Sequence, residues 1–128
     1  PIGLFMPNCD PVQPDILVLR TADMDCIQER GIHGIPALII EVLSPNNPTY
    51  DTVIKHRAYA GAGVPEYWII RPAMQNVLVC SQPDTQLRDY AHTFVVGIEE
   101  TLISPTLPIQ TPVANLFIGL PDSTPGGA

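Results

Sequence analysis

The stretch that decides the fold is Pro36-Ala-Leu-Ile-Ile-Glu-Val-Leu43, an apolar run with a single carboxylate, Glu41, near its end. Consecutive apolar residues of this length predict a strand over residues 36–43 that is buried on both faces. Such strands lie in the middle of a sheet that is covered by helices. A charge in a buried strand is costly unless it is paired or holds a metal. Glu41 therefore marks a candidate site.

A second acid and a lysine accompany Glu41. Asp15 begins another apolar run, Pro14-Asp-Ile-Leu-Val-Leu19, which predicts a strand over residues 15–21. Lys55, the only lysine in the chain, lies on a predicted helix over residues 52–62. We expect this helix to begin at an Asp51 N-cap and to end at Gly61 and Gly63. Asp51, Lys55 and Tyr59 then form a stripe at i, i+4 spacing beside the apolar face.

The remaining pattern predicts an α/β domain with a mixed sheet flanked by helices. Residues 22–35 are expected to form a loop with one short turn, and residues 66–70 a further strand. An antiparallel meander is predicted in the C-terminal half, over residues 76–81, 88–96 and 99–103. A short edge strand precedes a last helix, with Thr111 as its N-cap and Pro112 in its first turn. We expect one domain over residues 1–120 and a flexible tail over residues 121–128.

The composition narrows the class of protein. Thirteen acidic and six basic residues give 128 residues a net charge of −7, which argues against a broad electrostatic grip on nucleic acid. A small site in which a metal bridges to phosphate remains compatible with that charge. No apolar run reaches the roughly 20 residues that span a bilayer, so no membrane association is expected. Three cysteines without CxxC spacing indicate reduced thiols and a cytoplasmic protein. The three histidines also lack metal-ligand spacing.

The residue types at the candidate site suit a divalent metal. Two carboxylates, Asp15 and Glu41, and the backbone carbonyl of Val42 are hard oxygen ligands of the kind that Mg²⁺ prefers. Lys55 beside them can orient a water molecule or stabilise negative charge in a transition state. Simpler roles are open: Asp15 can cap a turn, Glu41 can bind loop amides, Asp51 can pair with Lys55, and Lys55 can be a surface lysine.

Four ordered motifs resemble a known family. They are Pro14-Asp15-Ile-Leu-Val, Ile39-Ile-Glu41-Val-Leu-Ser-Pro45, the set Asp51, Lys55 and Tyr59, and Gly63-Val-Pro-Glu-Tyr-Trp68. Together they resemble the Uma-type family, long catalogued as a bacterial domain of unknown function and placed in the PD-(D/E)XK superfamily of restriction-endonuclease-like folds. The resemblance runs from about residue 14 to residue 72, and more loosely to residue 120.

The resemblance implies roles for the site residues. Asp15 matches the family's PD acid and Glu41 its second acid. Leu43 occupies the position of the usual lysine, and Lys55 looks like the migrated lysine of this family. These positions imply a nuclease that uses Mg²⁺ or Mn²⁺ on DNA, with Asp15, Glu41 and Lys55 as catalytic residues. Position 71, commonly an aspartate in the family, is Arg71 here.

Two functions are compatible with the sequence. The first is a metal-dependent DNA endonuclease, expected to act as a two-fold homodimer through the Val-rich segment 93–98. The second is a catalytically inactive nuclease-like fold that binds or regulates. A tautomerase that uses Pro1 as its catalytic amine has no other supporting residue. Because family members usually carry an upstream helical segment, we expect four residues to cover the sheet in its place: Ile2, Leu4, Phe5 and Met6.

Overall fold

A computed structural model describes residues 2–44 and 49–118, with the side chains of residues 49–51 excepted. Its strands are β1 (Leu4–Phe5), β2 (Ile16–Val18), β3 (Ile27–Gln28), β4 (Gly31–His33), β5 (Leu38–Val42), β6 (Glu66–Arg71), β7 (Asn76–Asp84), β8 (Asp89–Gly97), β9 (Thr101–Ile103) and β10 (Gln110–Pro112). The helices are α1 (Thr49–Ala62) and α2 (Val113–Leu116), and two 3₁₀ turns span Thr21–Cys26 and Pro72–Met74.

The main sheet has five strands in the order β2-β5-β6-β7-β8. Strands β5 and β6 are parallel and are joined by α1, whereas β2 and the C-terminal strands β7 and β8 run antiparallel to their neighbours. The predicted α/β fold with a mixed sheet and an antiparallel meander is confirmed. The meander consists of β6, β7 and β8, so it contains two of its three predicted strands. Glu41 lies at the end of β5, in the interior of this sheet.

Each face of the sheet carries its own core. On one face, Leu4 and Met6 from the N-terminal segment pack with Ile39, Tyr59 and Tyr67 under α1. On the other face, the C-terminal part of the chain supplies the cover, with Leu102 and Val113 buried against a set from the sheet: Leu38, Trp68, Val77 and Val79. Two of the four N-terminal residues expected to cover the sheet are thus buried in it. Phe5 is half-buried and stacks on His33, and Ile2 is exposed.

Helix α1 differs from its predicted boundaries at both ends. It begins at Thr49, so Asp51 lies in its first turn and the predicted N-cap is wrong. Gly61 is inside the helix, and Gly63 alone terminates it with φ of 85°. The Val64 N–H donates to the Tyr59 carbonyl at 3.0 Å, and the Gly63 N–H donates to the Ala60 carbonyl at 3.1 Å. This paired closure needs a left-handed residue, which glycine adopts without strain.

Three other predictions are corrected by the structure. Residues 22–35 form a 3₁₀ turn and the β3–β4 hairpin, and β1 adds to that hairpin in parallel. The third strand of the expected meander, β9, pairs with β10 in a separate two-stranded sheet. Thr111 lies in β10, and Pro112 is the residue at the N-cap of α2. The segment 45–48 and the predicted tail 121–128 lie outside the described residues.

Candidate active site

The antiparallel register of β2 and β5 brings the two acids together. Ile16 pairs with Ile40, so the residue before one and the residue after the other lie at the same end of the sheet. The backbone N–H of Asp15 donates to Glu41 Oε1 at 3.2 Å. The N–H of Val42 donates to Asp15 Oδ2 at 2.8 Å. Asp15, Glu41 and Val42 therefore form one connected group.

Lys55 reaches the same group from α1. Its Nζ lies 2.8 Å from Glu41 Oε2, and its side chain is 31% exposed against 8% for Glu41. One helical turn later, the Tyr59 hydroxyl donates to Glu41 Oε1 at 3.4 Å. Lys55 and Tyr59 thus both face the strand-end acid, as side chains at i, i+4 spacing on one helix face do. The side chain of Asp51, the third residue of the predicted stripe, lies outside the described residues. The structure brings together all the residues for which the sequence suggested a site.

Burial shapes the electrostatics around Glu41. Its carboxylate has little solvent to stabilise its charge, so the Lys55 ammonium and the donors from Asp15 and Tyr59 take that role. Burial, and next the charge of Glu41, raise the pKa of Tyr59 and that of Tyr67 far above the ordinary value for tyrosine. Both phenols therefore stay neutral, and the Tyr59 hydroxyl remains a hydrogen-bond donor to Glu41.

The site opens to solvent on the Asp15 side. Asp15 is exposed, whereas Glu41 lies behind it at the buried end of β5. A small cavity of about 10 Å³ lies against Glu41, Val42 and Lys55, with Thr52 at its edge. A space of this size holds about one water molecule. The arrangement therefore has an accessible acid, a buried acid and room for one small group between strand and helix.

The donor set fits a hard divalent cation as a partial coordination shell. Asp15 and Glu41 offer carboxylate oxygens and Val42 a backbone carbonyl at one sheet end, and Mg²⁺ usually keeps several waters beside one or two carboxylates. Across residues 2–44 and 49–118 there is no group of three or more His, Cys, Asp and Glu side chains arranged to hold a metal. Waters or substrate oxygens would have to complete the shell.

Two histidines have partners outside this site. His56 hydrogen-bonds Asp89 at 2.8 Å, and His33 stacks on Phe5. Cys9, Cys26 and Cys80 are free thiols. Burial raises the pKa of the Cys80 thiol to about 12, as expected for an unreactive core cysteine.

A second buried acid, Glu66, lies on the opposite face of the sheet and was not predicted as a functional residue from the sequence. Glu66 is fully buried and accepts hydrogen bonds from Trp68 Nε1, Ser104 Oγ and Thr106 Oγ1. The Pro-Glu-Tyr-Trp motif contains Glu66 and its partner Trp68, but Ser104 and Thr106 lie about forty residues away in the sequence. Because these contacts close around the carboxylate, Glu66 anchors the C-terminal segment.

Comparison with protein families identifies the chain. A family model, Uma2, described as "Putative restriction endonuclease", matches residues 2–114. The chain belongs to the Uma2 family. The matched range includes Asp15, Glu41, the helix that carries Lys55 and the Glu66 cluster.

A solved structure supports the Uma2 assignment at the level of fold. It is described as a putative nuclease belonging to DUF820 from Anabaena variabilis ATCC 29413, with a TM-score of 0.70 and 20% sequence identity. The similarity covers 91% of this chain and 65% of that one, so this chain spans about two thirds of its length. A comparison with curated proteins finds no match. Within the described part of this Uma2 chain, no helix has the length and apolar character needed to cross a membrane.

Proposed function

We propose that this Uma2 protein is a divalent-metal-dependent endonuclease that hydrolyses phosphodiester bonds of DNA. The observation that carries the proposal is the convergence on Glu41 of Asp15 from the neighbouring strand and Lys55 from the following helix. Acid, acid and lysine are the residue types that the family resemblance assigns to metal-assisted hydrolysis. Here they come from three separate elements and meet at one end of the sheet.

The residues that would hold the ion are Asp15, Glu41 and the Val42 carbonyl. A bound Mg²⁺ or Mn²⁺ supplies Lewis-acid polarisation of the phosphodiester and a lowered pKa for a bound water. Val42 fixes the Asp15 carboxylate through its N–H at 2.8 Å, which leaves the other carboxylate oxygen directed to ligands or solvent. The protein's contribution is thus to keep two carboxylates oriented before any substrate arrives.

Lys55 would act on the reacting phosphate and the attacking water. Its ammonium contacts Glu41 Oε2, so its charge sits beside the carboxylate and not in open solvent. An ammonium in this position can stabilise the extra negative charge of the transition state. Tyr59 would act indirectly, because its hydroxyl donates to Glu41 Oε1 and would help to orient the carboxylate that holds the ion.

A second candidate function is a nuclease-like module that binds without cutting. The observation that favours it is that both oxygens of Glu41 already have protein donors: Asp15 and Tyr59 at Oε1, and Lys55 at Oε2. A carboxylate compensated in this way needs no metal to be stable in the protein. The net charge of −7 also disfavours tight binding of a polyanion without a cation.

The deciding experiment measures hydrolysis and metal binding in parallel. Wild type is incubated with plasmid DNA, linear duplex and RNA in Mg²⁺, Mn²⁺ or EDTA. Cleavage of DNA is expected with either metal and not with EDTA. Asp15→Asn and Glu41→Gln should each lower the cleavage rate at least about a hundredfold, since each removes a ligand charge.

Lys55→Met provides the sharpest test of a single role. Methionine keeps most of the apolar stem and removes the ammonium. Glu41 retains its donors from Asp15 and Tyr59, so the variant should fold with a lower stability. We expect cleavage to fall about a hundredfold or more while the metal-induced rise in melting temperature persists. Undiminished cleavage by Lys55→Met would remove Lys55 from the mechanism. If the metal-induced rise in melting temperature also persists in the double variant Asp15→Asn, Glu41→Gln, the proposed metal site is ruled out.

We further propose that the protein works as a cytoplasmic homodimer. Cleavage of both strands of a duplex needs two sites related by a dyad, and two-fold dimers are the commonest oligomers. The free state of its three thiols supports a reducing compartment.

A further inference from the structure

A second cavity lies on the outer side of α1. It has a volume of about 530 Å³ and is bounded by the N-terminal segment at residues 8–12, by Ile54, Arg57 and Ala58 of the helix, and by Arg88. It is far larger than the cavity at Glu41 and large enough for a small ligand group. The active-site residues do not line it, so the proposed hydrolysis leaves it unexplained.

The charge of this cavity opposes the charge of the chain. Arg57 and Arg88 line it, with Asp10 as the one acid, which gives it a positive balance in a protein of net charge −7. Among the residues that the structure describes, neither guanidinium forms an ion pair with a carboxylate. Two of the five arginines therefore line one concave surface, where Asp10 is the acid of the lining and the charge of Asp89 also acts on Arg57. Paired guanidinium groups are suited to phosphate oxygens, which they bind in a bidentate manner.

Arg88 is held in this place by its surroundings. A Cβ at Gly61 would lie 3.1 Å from Arg88 Cγ and 3.5 Å from its Nε, so the missing side chain lets the arginine lie against the helix. The next residue, Asp89, hydrogen-bonds His56 of α1 at 2.8 Å. The turn between β7 and β8 is thus joined to α1 by the Asp89–His56 contact, and the stem of the exposed Arg88 lies beside Gly61 of the helix.

The cavity adjoins the candidate active site. Val12 at its edge precedes Asp15 by three residues, a span of at most about 11 Å of extended chain. Ala58 at its floor is one helical turn from Lys55 and therefore on a neighbouring part of the helix surface.

We propose that Arg57 and Arg88 bind the phosphate backbone of the substrate strand beside the candidate active site. The inference rests on the proposed function, because it takes the substrate to be a nucleic acid strand that passes Asp15. The two arginines would give this acidic protein a local cationic contact with DNA. The rest of its surface then need not attract DNA. The two arginines are binding residues, and the site orients the strand before hydrolysis.

The test measures binding in EDTA, where no hydrolysis occurs. The probe is a fluorescein-labelled 20-base-pair DNA duplex, followed by anisotropy over a range of salt concentrations. Arg57→Gln and Arg88→Gln should each weaken binding roughly three- to tenfold. Losing this phosphate contact should lower the slope of log K against log salt by about 1. Glutamine preserves the packing of the Arg88 stem on Gly61, and melting temperatures verify folding.

The matched control is Arg20→Gln, which removes the same charge from an exposed position past the end of β2 remote from Asp15. An equal effect of all three variants, or no binding of the duplex by wild type, would overturn the proposal. A third outcome would also overturn it: inorganic phosphate stabilises the protein through both arginines, but duplex binding does not depend on them. The site would then bind a small anion. Arginine-dependent binding without cleavage in Mg²⁺ would support this site and count against the endonuclease.

Discussion

At the scale of single residues, the charge of the buried acid Glu41 is stabilised by protein groups before any ligand binds. Its two oxygens have three donors of different kinds: a backbone N–H, an ammonium and a phenol. Removal of one partner of such a group leaves an uncompensated buried charge, which costs several kcal/mol. The same donors fix the direction of the carboxylate. Stability of the fold and orientation of the candidate metal ligand therefore depend on the same contacts.

The buried tyrosines around this acid predict an alkaline transition. Burial is the largest cause of the raised pKa values of Tyr59, Tyr67 and Tyr90. In the unfolded chain these phenols would ionise near pH 10. Because the raised pKa belongs to the folded state, the stability that these tyrosines contribute is full below about pH 10 and decreases as the pH rises above it.

An absorbance titration at 295 nm checks this prediction. Three of the four tyrosines of the chain should ionise only together with loss of the folded circular dichroism signal. The unfolded protein in urea, with all four phenols titrating near pH 10, is the reference. Ionisation of all four near pH 10 in the still folded protein would contradict the burial of these rings.

The sequence predicted the members of the site but not the way they satisfy one another. Asp15, Glu41 and Lys55 were identifiable because each is a charge in or beside an apolar pattern. The hydrogen bond from the Asp15 backbone to Glu41 depends on the register of two strands, and register follows from the packing of the whole face. The cavity with Arg57 and Arg88 was not predicted, because its residues come from three distant segments.

At the scale of elements, the long strands and the helix were predicted from local pattern, and the short elements were not. Strands β5 and β6 carry continuous apolar runs, which local sequence determines. Strand β9 has three residues, and its pairing with β10 rather than β8 is decided by contacts distant in sequence. The β3–β4 hairpin likewise depends on β1, which pairs with β4 from another part of the chain.

The anchoring of the C-terminal segment by Glu66 gives a prediction at this scale. Glu66→Ala would leave the buried donors of Trp68 and Ser104 without their acceptor. Each unsatisfied buried donor costs about 1–3 kcal/mol, so the free energy of unfolding should fall by roughly 2–5 kcal/mol. Glu99→Ala, at an exposed acid in the turn after β8, should change it by less than about 0.5 kcal/mol. Urea unfolding measures both; equal values would show that the Glu66 cluster contributes no net stability.

At the scale of the whole molecule, the edges of the sheet determine how copies can associate. Strand β8 ends the five-stranded sheet and, in the described chain, pairs in that sheet with β7 alone. Its nine residues include no lysine, arginine or proline, the residues that commonly protect an edge strand from pairing with another chain. Val95 on this strand is 51% exposed. An open edge of this kind can pair antiparallel with its own copy about a two-fold axis.

We therefore predict a dimer of twice 13.9 kDa by light scattering at micromolar concentration, with β8 at the interface. Val95→Lys should shift the monomer–dimer equilibrium toward the monomer. The lysine charge would lose its hydration in the interface, and the same charge on the second copy would repel it. Val53→Lys is the matched control, because Val53 on α1 is also 51% exposed and lies off the edge strand. A wild-type monomer would contradict the prediction outright. A dimer dissociated equally by both substitutions would move the interface away from β8.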